Sequence, residues 1–363
     1  MRGESPEWPF GSDPIELARF EDFCLREGVF AQVHGSVSRL KWPEPIKDFI
    51  RRQTIARSLW EQQHASVLVD ALGVLANEHV QPLVFKGTAL AYSVYAEPYA
   101  RVRADSDLLI EPGQRKKAAK ALRAAGFARQ GSIDGEYVSY EVSFTREQNR
   151  FLHVLDLHWR IHYSQFQSNR FPYEYLRLRS SPLPRLSPIA FAPSRADSIL
   201  LNCVHRANDM NTPQWSSKGP SFGTERLISL YDIHLLLEQM GRHELDELTS
   251  TAQRLGVMSI CRRWVLAAVS NFATRVPATF IAAWDADVAM DAFGRYHAAN
   301  IVAQRWTDFV SVQGVRGKVA FLAEHIFPPA DYMRERFPSS QDRNWSLRAR
   351  RLLHGLRRWR KLY

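Results

Sequence analysis

The chain has 363 residues, 45% of them hydrophobic, which is enough for a packed core and favours more than one domain. Low-complexity tracts, an apolar run of membrane-spanning length and an apolar signal-peptide core near the N-terminus are all missing from the sequence. These features argue against a disordered chain and against a helical membrane protein, and we expect a cytoplasmic protein.

The net charge of +10 is concentrated near the C-terminus. Residues 343–363 carry eight Lys and Arg and no acid, so the rest of the chain has a net charge of about +2. The cysteines Cys24, Cys203 and Cys261 lie far apart and form no C-x-x-C pair. We therefore expect buried thiols, with neither a disulfide partner nor a zinc site.

The first half of the chain alternates between helical and strand patterns. Residues 1–54 mix proline, glycine and charged residues with short helical pieces, and we interpret them as a helical lead-in. Apolar residues then recur every three or four positions over residues 55–79, which predicts a helix. The apolar run Leu83–Phe85 predicts a buried strand, and Gly87-Thr88 opens a second helix over residues 89–95.

A second strand is predicted at residues 106–110. A helix follows between Pro112, which suits a first helical turn, and Gly126, which suits a C-terminal cap. Asp134-Gly135 lies in the middle of residues 128–144 and predicts a β-hairpin with a tight turn.

The second half of the chain reads as helical after one more strand, which the alternation in residues 151–161 predicts. Residues 55–180 are thus an α/β unit with a mixed sheet, and the fold class is α+β. The Pro-rich stretch 180–194 is interpreted as a linker, residues 195–330 as a helical bundle, and residues 331–363 as a basic tail. The predicted bundle helices are 195–208, 224–241, 244–255, 257–273 and 280–308.

Three acids form the main candidate site. Asp105 and Asp107 occupy positions i and i+2 of a predicted strand, so both point to one face. Carboxylates this close repel one another unless a cation neutralises them, and oxygen-only ligands suit Mg²⁺. Asp156 lies between Leu155 and Leu157, where an unpaired carboxylate is costly. On a neighbouring strand it would complete a two-metal site for phosphoryl or nucleotidyl transfer.

The segment Lys86-Gly87-Thr88 lies between a predicted strand and a predicted helix. Free N–H groups at a helix start attract phosphate, and glycine lets the backbone approach it closely. The Thr88 hydroxyl and the Lys86 ammonium are further phosphate contacts, and Arg101 and Arg103 are candidates for binding triphosphate oxygens. Each motif alone is common in solvated turns or cores, and their order along the chain is what indicates a site.

The segments LVFKGTALAYSVYAEPYARVRADSDLLIEP and FLHVLDLHWRIH resemble the bacterial uncharacterised nucleotidyltransferase family of the DNA polymerase β-type superfamily. The resemblance extends over roughly residues 55–330. Thr88 stands where the superfamily has Gly or Ser, and Ser106 stands where an apolar residue is usual. The matching positions are Lys86-Gly87, Arg101, Asp105-Ser106-Asp107 and Asp156-Leu157-His158-Trp159.

The resemblance implies a nucleotidyltransferase-type sheet and a metal-dependent transfer. Asp105, Asp107 and Asp156 would bind two Mg²⁺ ions, with Mn²⁺ as an alternative, and Asp156 would help to deprotonate the acceptor. Gly87 and Thr88 would hold the β- and γ-phosphates of a nucleoside triphosphate such as ATP. A nucleoside monophosphate would pass to a hydroxyl or phosphate of an unidentified acceptor, with release of pyrophosphate.

Further residues are candidates for roles near the site. His158 is predicted to support Asp156. The segments LLNCVHRAND and ERLISLYDIHLLL look like helical segments of the family, and they contain His205 and Asp232. These two residues either contact nucleotide or acceptor in the cleft or form a buried pair between two helices. The basic tail either packs on the body or binds an anionic membrane surface, RNA or an acidic partner.

Two other functions compete with transfer. A catalytically degenerate member of the fold would act as a binding or regulatory module, although all three acids are present. A glycosyltransferase would use Asp-x-Asp to hold a metal and a sugar nucleotide. That class explains neither Gly87-Thr88 nor Asp156.

Overall fold

The structure is a computed structural model. Of the predicted basic tail, it describes only Tyr332 and Met333. For residues 214–216 and 219–221 the backbone alone is described. The described residues are 6–11, 13–131, 133–211, 214–216, 219–221, 226–286, 289–330 and 332–333.

The lead-in is helical, as predicted. It contains α1 (Pro14–Glu27), α2 (Phe30–His34) and α3 (Glu44–Asn77). The Asp13 carboxylate caps α1 by accepting a hydrogen bond from the Ile15 N–H. The helix predicted over residues 55–79 is the later part of α3, which starts earlier because proline suits its first turn.

The chain then builds a seven-stranded mixed sheet in the order β3-β4-β5-β2-β1-β7-β6. β2 runs parallel to β5 and antiparallel to β1, which confirms the predicted mixed sheet. The elements are β1 (Leu83–Phe85), α4 (Lys86–Ser93), β2 (Asp105–Leu109), α5 (Arg115–Ala124), β3 (Ala128–Gln130), β4 (Glu141–Gln148), β5 (Phe151–His158), α6 (Gln165–Ser168), α7 (Tyr173–Leu178), β6 (Ser181–Pro182) and β7 (Phe191–Ala192).

The position predicted for the tight turn is wrong. β3 and β4 do pair, but the whole segment 131–140 joins them, and Asp134-Gly135 lies within that longer connection. The tight turn joins β4 to β5 instead. There Asn149 and Arg150 both have positive φ, which a two-residue hairpin turn of the favoured type requires.

The stretch predicted as a linker is instead part of the sheet. It supplies β6 and β7, and β7 pairs in parallel with β1 at Leu83 and Phe191. The sequence pattern did not predict these strands, because proline in a sheet is confined to edge positions and usually argues against a strand.

The chain beyond the sheet is mainly helical, as predicted. The single helix predicted over residues 280–308 is three helices, because the Asp291 and Asn300 side chains each cap a new helix start. No helix of the described chain has the length and apolar character that a membrane span requires. The elements are α8 (Arg195–Asn211), β8 (Gln214–Ser216), β9 (Gly219–Ser221), α9 (Leu227–Glu238), α10 (Arg242–Leu255), α11 (Met258–Phe272), α12 (Ala278–Asp285), α13 (Ala292–Ala298), α14 (Ile301–Ser311) and α15 (Gly314–Ile326).

The two faces of the sheet pack against different helices. α3 and α5 cover one face, where Leu72 and Leu122 join a cluster with Leu108 of β2. On the other face, Phe85 and Leu109 join a cluster with residues of α8, α9 and α11. Successive β2 residues therefore point alternately toward α3 and toward the C-terminal helices. The three cysteines are buried thiols, as predicted.

Candidate metal and phosphate site

Strands β2 and β5 bring the three predicted acids to one face of the sheet. Asp107 lies directly opposite Asp156 in the parallel register. Asp105 precedes Asp107 by two positions and shares its face. Asp107 is buried, whereas Asp105 and Asp156 are partly exposed, so the group can be reached from solvent.

His158 belongs to the same group. One ligand atom each from Asp107, Asp156 and His158 lies within 4.8 Å of the others. His158 Nε2 lies 2.9 Å from Asp107 Oδ1, and its Nδ1 lies 3.1 Å from Glu141 Oε2. The prediction that His158 supports Asp156 is therefore corrected, because the ring pairs with Asp107.

The partner of Asp156 comes from β4. The Ser143 hydroxyl donates a hydrogen bond of 2.5 Å to Asp156 Oδ1. Ser143 pairs with Asp156 in the antiparallel register, and Glu141 pairs with His158 in the same way. Sequence reasoning missed Ser143 and Glu141. Alternation along β4, aligned with β5, is the pattern that identifies them.

Lys86 reaches the acids. Its Nζ lies 2.7 Å from Asp107 Oδ1, and its φ of 53° is unusual for a residue with a side chain. Burial would raise the pKa of Asp107, but the Lys86 ammonium and the His158 hydrogen bond outweigh it and hold that pKa below its ordinary value. Asp107 is therefore ionised and already has a cation beside it.

Asp105 is in the opposite condition. Burial, followed by repulsion from Asp107 and Asp156, raises the pKa of Asp105 to about 6. The charge of Lys86 therefore does not fully offset the repulsion that Asp105 experiences. Their oxygens fit Mg²⁺ or Mn²⁺, and the His158 imidazole is a ligand that transition metals also accept. This donor set is compatible with a divalent cation.

Gly87 gives the start of α4 close access to Arg101. A Cβ at Gly87 would lie 3.3 Å from the Arg101 guanidinium carbon, tighter than ordinary contact. Arg101 Nε donates to both oxygens of Asp232, at 2.7 and 2.9 Å. Asp232 also accepts a 2.7 Å hydrogen bond from the Tyr95 hydroxyl. Asp232 thus anchors Arg101 rather than pairing with His205.

Thr88 and Arg103 have partners inside the protein. Thr88 Oγ1 lies 2.8 Å from Ser106 Oγ, which lies 2.6 Å from His64 Nε2. Arg103 Nη2 donates to Glu61 Oε1 at 2.7 Å. The side chains of both residues therefore tie the chain around β2 to α3. This arrangement leaves the Thr88 backbone N–H, rather than its hydroxyl, for a phosphate.

His205 lies on α8 on the side of the acids. Its side chain is half exposed, and its Nε2 lies 3.4 Å from Asp209 Oδ2. The residues packed around the ring, followed by the charge of the Lys86 ammonium, lower the pKa of His205. The charges of Asp107 and His158 act on the same ring, so His205 belongs to the surroundings of the acids.

The mixed sheet with its C-terminal helices defines a nucleotidyltransferase-type α+β fold. The chain belongs to the family described as uncharacterised nucleotidyltransferases, whose model matches residues 13–273. The match includes α1 and α2, which lie before the start of the predicted resemblance, and every site residue described above. No curated protein and no solved structure shows a significant match to the chain.

Proposed function

We propose that this protein transfers a nucleoside monophosphate from a nucleoside triphosphate to a hydroxyl or phosphate of an acceptor and releases pyrophosphate. One observation carries the proposal: the register of β2 and β5 sets Asp107 opposite Asp156, and Lys86 at the start of α4 reaches the same acids. Close carboxylates beside a helix start suit a complex of metal ions and triphosphate.

The acids and the start of α4 have different roles in this reaction. Asp105, Asp107 and Asp156 would hold two Mg²⁺ ions, or Mn²⁺ in their place, and these would neutralise charge on the triphosphate. Asp156, oriented by Ser143, accepts the proton of the acceptor hydroxyl. The backbone N–H groups at Gly87 and Thr88 hold the outer phosphates, as the start of a helix favours.

Calorimetry on the intact protein tests this function. Each of the four ribonucleoside triphosphates is titrated in Mg²⁺, on wild type, on Asp105→Ala/Asp107→Ala and on Asp246→Ala, an exposed acid of α10. We expect binding that depends on the metal and weakens by at least about 100-fold in the double variant, because two metal-binding carboxylates are lost. Asp246→Ala should bind like wild type.

The other functions give different results in this titration and in an assay of pyrophosphate release. Tighter binding of a UDP-sugar than of any triphosphate would indicate a glycosyltransferase. Metal-dependent triphosphate binding in the absence of any pyrophosphate release, with cell extract supplying acceptors, would indicate a binding or regulatory module. Binding that survives the double substitution would contradict the assignment of the site.

A further inference from the structure

Arg57 on α3 is a partly buried cation, and two of its guanidinium nitrogens are enclosed without a hydrogen-bonding partner in the described part of the chain. Its Nε and Nη2 atoms are buried and make no hydrogen bond to any described residue. The guanidinium stacks on the Trp60 ring at 3.9 Å, and Trp60 stacks in turn on His64 at 4.2 Å. The aromatic ring thus positions the guanidinium, while its Nε and Nη2 groups are left unsatisfied.

Arg57 differs in this respect from the two arginines close to it. Arg101 pairs with Asp232 and Arg103 pairs with Glu61, so each has its own carboxylate. Burial and the charges of Arg103 and Arg101 lower the pKa of Arg57 to about 10, although Glu61 and Asp105 act in the opposite direction. The cluster therefore holds three cations and two paired acids, next to Asp105. Enclosed guanidinium nitrogens without an anion are costly, and the site is electrostatically incomplete.

The position of Arg57 indicates which anion completes the cluster. Arg101 packs against Gly87 at the start of α4, where backbone N–H groups favour phosphate. Among the acids of the metal site, Asp105 is the one that acts on the charge of Arg57. Arg57 therefore lies toward Asp105, whereas the proposed acceptor side lies at Asp156. A guanidinium fork at this end suits the phosphate farthest from the acceptor.

We propose that Arg57 binds the terminal phosphate of the nucleoside triphosphate and makes the site prefer triphosphates to diphosphates. The inference rests on the proposed transfer function. It adds a residue that belongs to no sequence motif of the site. Arg57 lies on α3, and in the sequence it precedes β1 by more residues than seven helical turns contain.

Calorimetry with triphosphates and their matching diphosphates in Mg²⁺ tests the role of Arg57. We expect Arg57→Gln to raise the Kd for the triphosphate by on the order of 10- to 100-fold, the range for a charge-assisted hydrogen bond. The Kd for the diphosphate should change by less than about threefold. Arg57→Lys keeps the charge but lacks the fork, so it should recover part of the affinity. Arg52→Gln, an exposed arginine of the same helix, is the control.

The outcomes separate this inference from the function itself. If wild type binds triphosphates through Asp107 but Arg57→Gln binds them within twofold of wild type, the inference alone is overturned. An equal loss for triphosphate and diphosphate also overturns it. If wild type binds no triphosphate with either Mg²⁺ or Mn²⁺, the proposed function fails and the inference fails with it. Thermal melting shows whether each variant is folded, and Arg57→Lys carries the test if Arg57→Gln is not.

Discussion

The two faces of β2 hold polar groups in opposite conditions. Toward α3, Ser106 forms short contacts with both Thr88 and His64, so these buried groups satisfy one another. On the opposite face, Asp105 and Asp107 stand beside a third acid, and the pKa of Asp105 is raised to about 6 by burial and by those neighbours. We call the face with Ser106 the closed face and the face with the acids the open face. The closed face is a structural cluster, and the open face needs cations.

This difference predicts how substitutions will act. Groups of the closed face have internal partners, so removing one leaves another unsatisfied and lowers stability. On the open face, Asp105 is buried and repelled by the other two acids, so removing its charge relieves the fold but removes a ligand. Strongly perturbed acids in a cleft are typical of functional sites. The two faces should thus separate loss of stability from loss of activity.

The largest expected effect is on the open face. Asp105→Asn keeps the shape of the side chain but loses its charge, so we expect pyrophosphate release to fall by about 1,000-fold or more, equivalent to roughly 4 kcal/mol. The melting temperature should stay within a few degrees of that of wild type. Steady-state assays and thermal melting measure the two quantities. Glu147→Gln, at an exposed position of β4, is the control and should leave both unchanged. Full activity in Asp105→Asn would rule out the metal site.

Breaking the ion pair between Arg101 and Asp232 tests how much this buried pair contributes to the stability of the fold around the site. Asp232→Asn leaves the buried Arg101 guanidinium without its counter-charge, so the free energy of unfolding should fall by about 3–5 kcal/mol. Urea denaturation measures this change. Glu238→Gln in the same helix breaks the more exposed pair with Arg275 and should cost less than about 1 kcal/mol. Equal costs for the two variants would contradict the buried role of Asp232.

Sequence reasoning reached the acids because their placement follows from local alternation. Asp105 and Asp107 share a face in any strand, and Asp156 between two leucines must find partners. The pairing of β2 with β5 did not follow from any local pattern, because strand register depends on packing across the sheet. The hydrogen bond from Arg101 to Asp232 joins residues 131 positions apart.

Residues on helices were harder to predict than residues on strands. Arg57 follows Ala56 and precedes Ser58 in α3, and its sequence neighbours resemble those of a solvated arginine. Only the stacking on Trp60 and the burial of Nε and Nη2 show that part of its guanidinium is enclosed. Helical periodicity indicates which face is apolar, but it does not show which charged side chain is enclosed by other elements.

A substitution on the closed face separates the two roles considered for Thr88. Thr88→Val keeps the shape but leaves Ser106 without the hydroxyl, so the free energy of unfolding should fall by about 1–3 kcal/mol. The triphosphate Kd should remain within about threefold of that of wild type, because the Thr88 backbone N–H is retained. Denaturation and calorimetry measure the two effects, and Thr88→Ser should restore stability. A large loss of affinity in a stable Thr88→Val protein would return the hydroxyl to the phosphate site.

The smallest effect is expected for Ser143, which orients Asp156 from the neighbouring strand. Ser143→Ala removes the 2.5 Å hydrogen bond to Asp156 and leaves that carboxylate free to rotate. We expect kcat to fall by about tenfold, or roughly 1.4 kcal/mol, because positioning is weakened while the ligand itself remains. The triphosphate Kd should stay near that of wild type, since Asp105 and Asp107 are unchanged. Ser139→Ala, a serine of the preceding connection whose hydroxyl bonds the Glu141 carbonyl, is the matched control. An equal fall in kcat for both serines would place the effect in the strand rather than in Asp156.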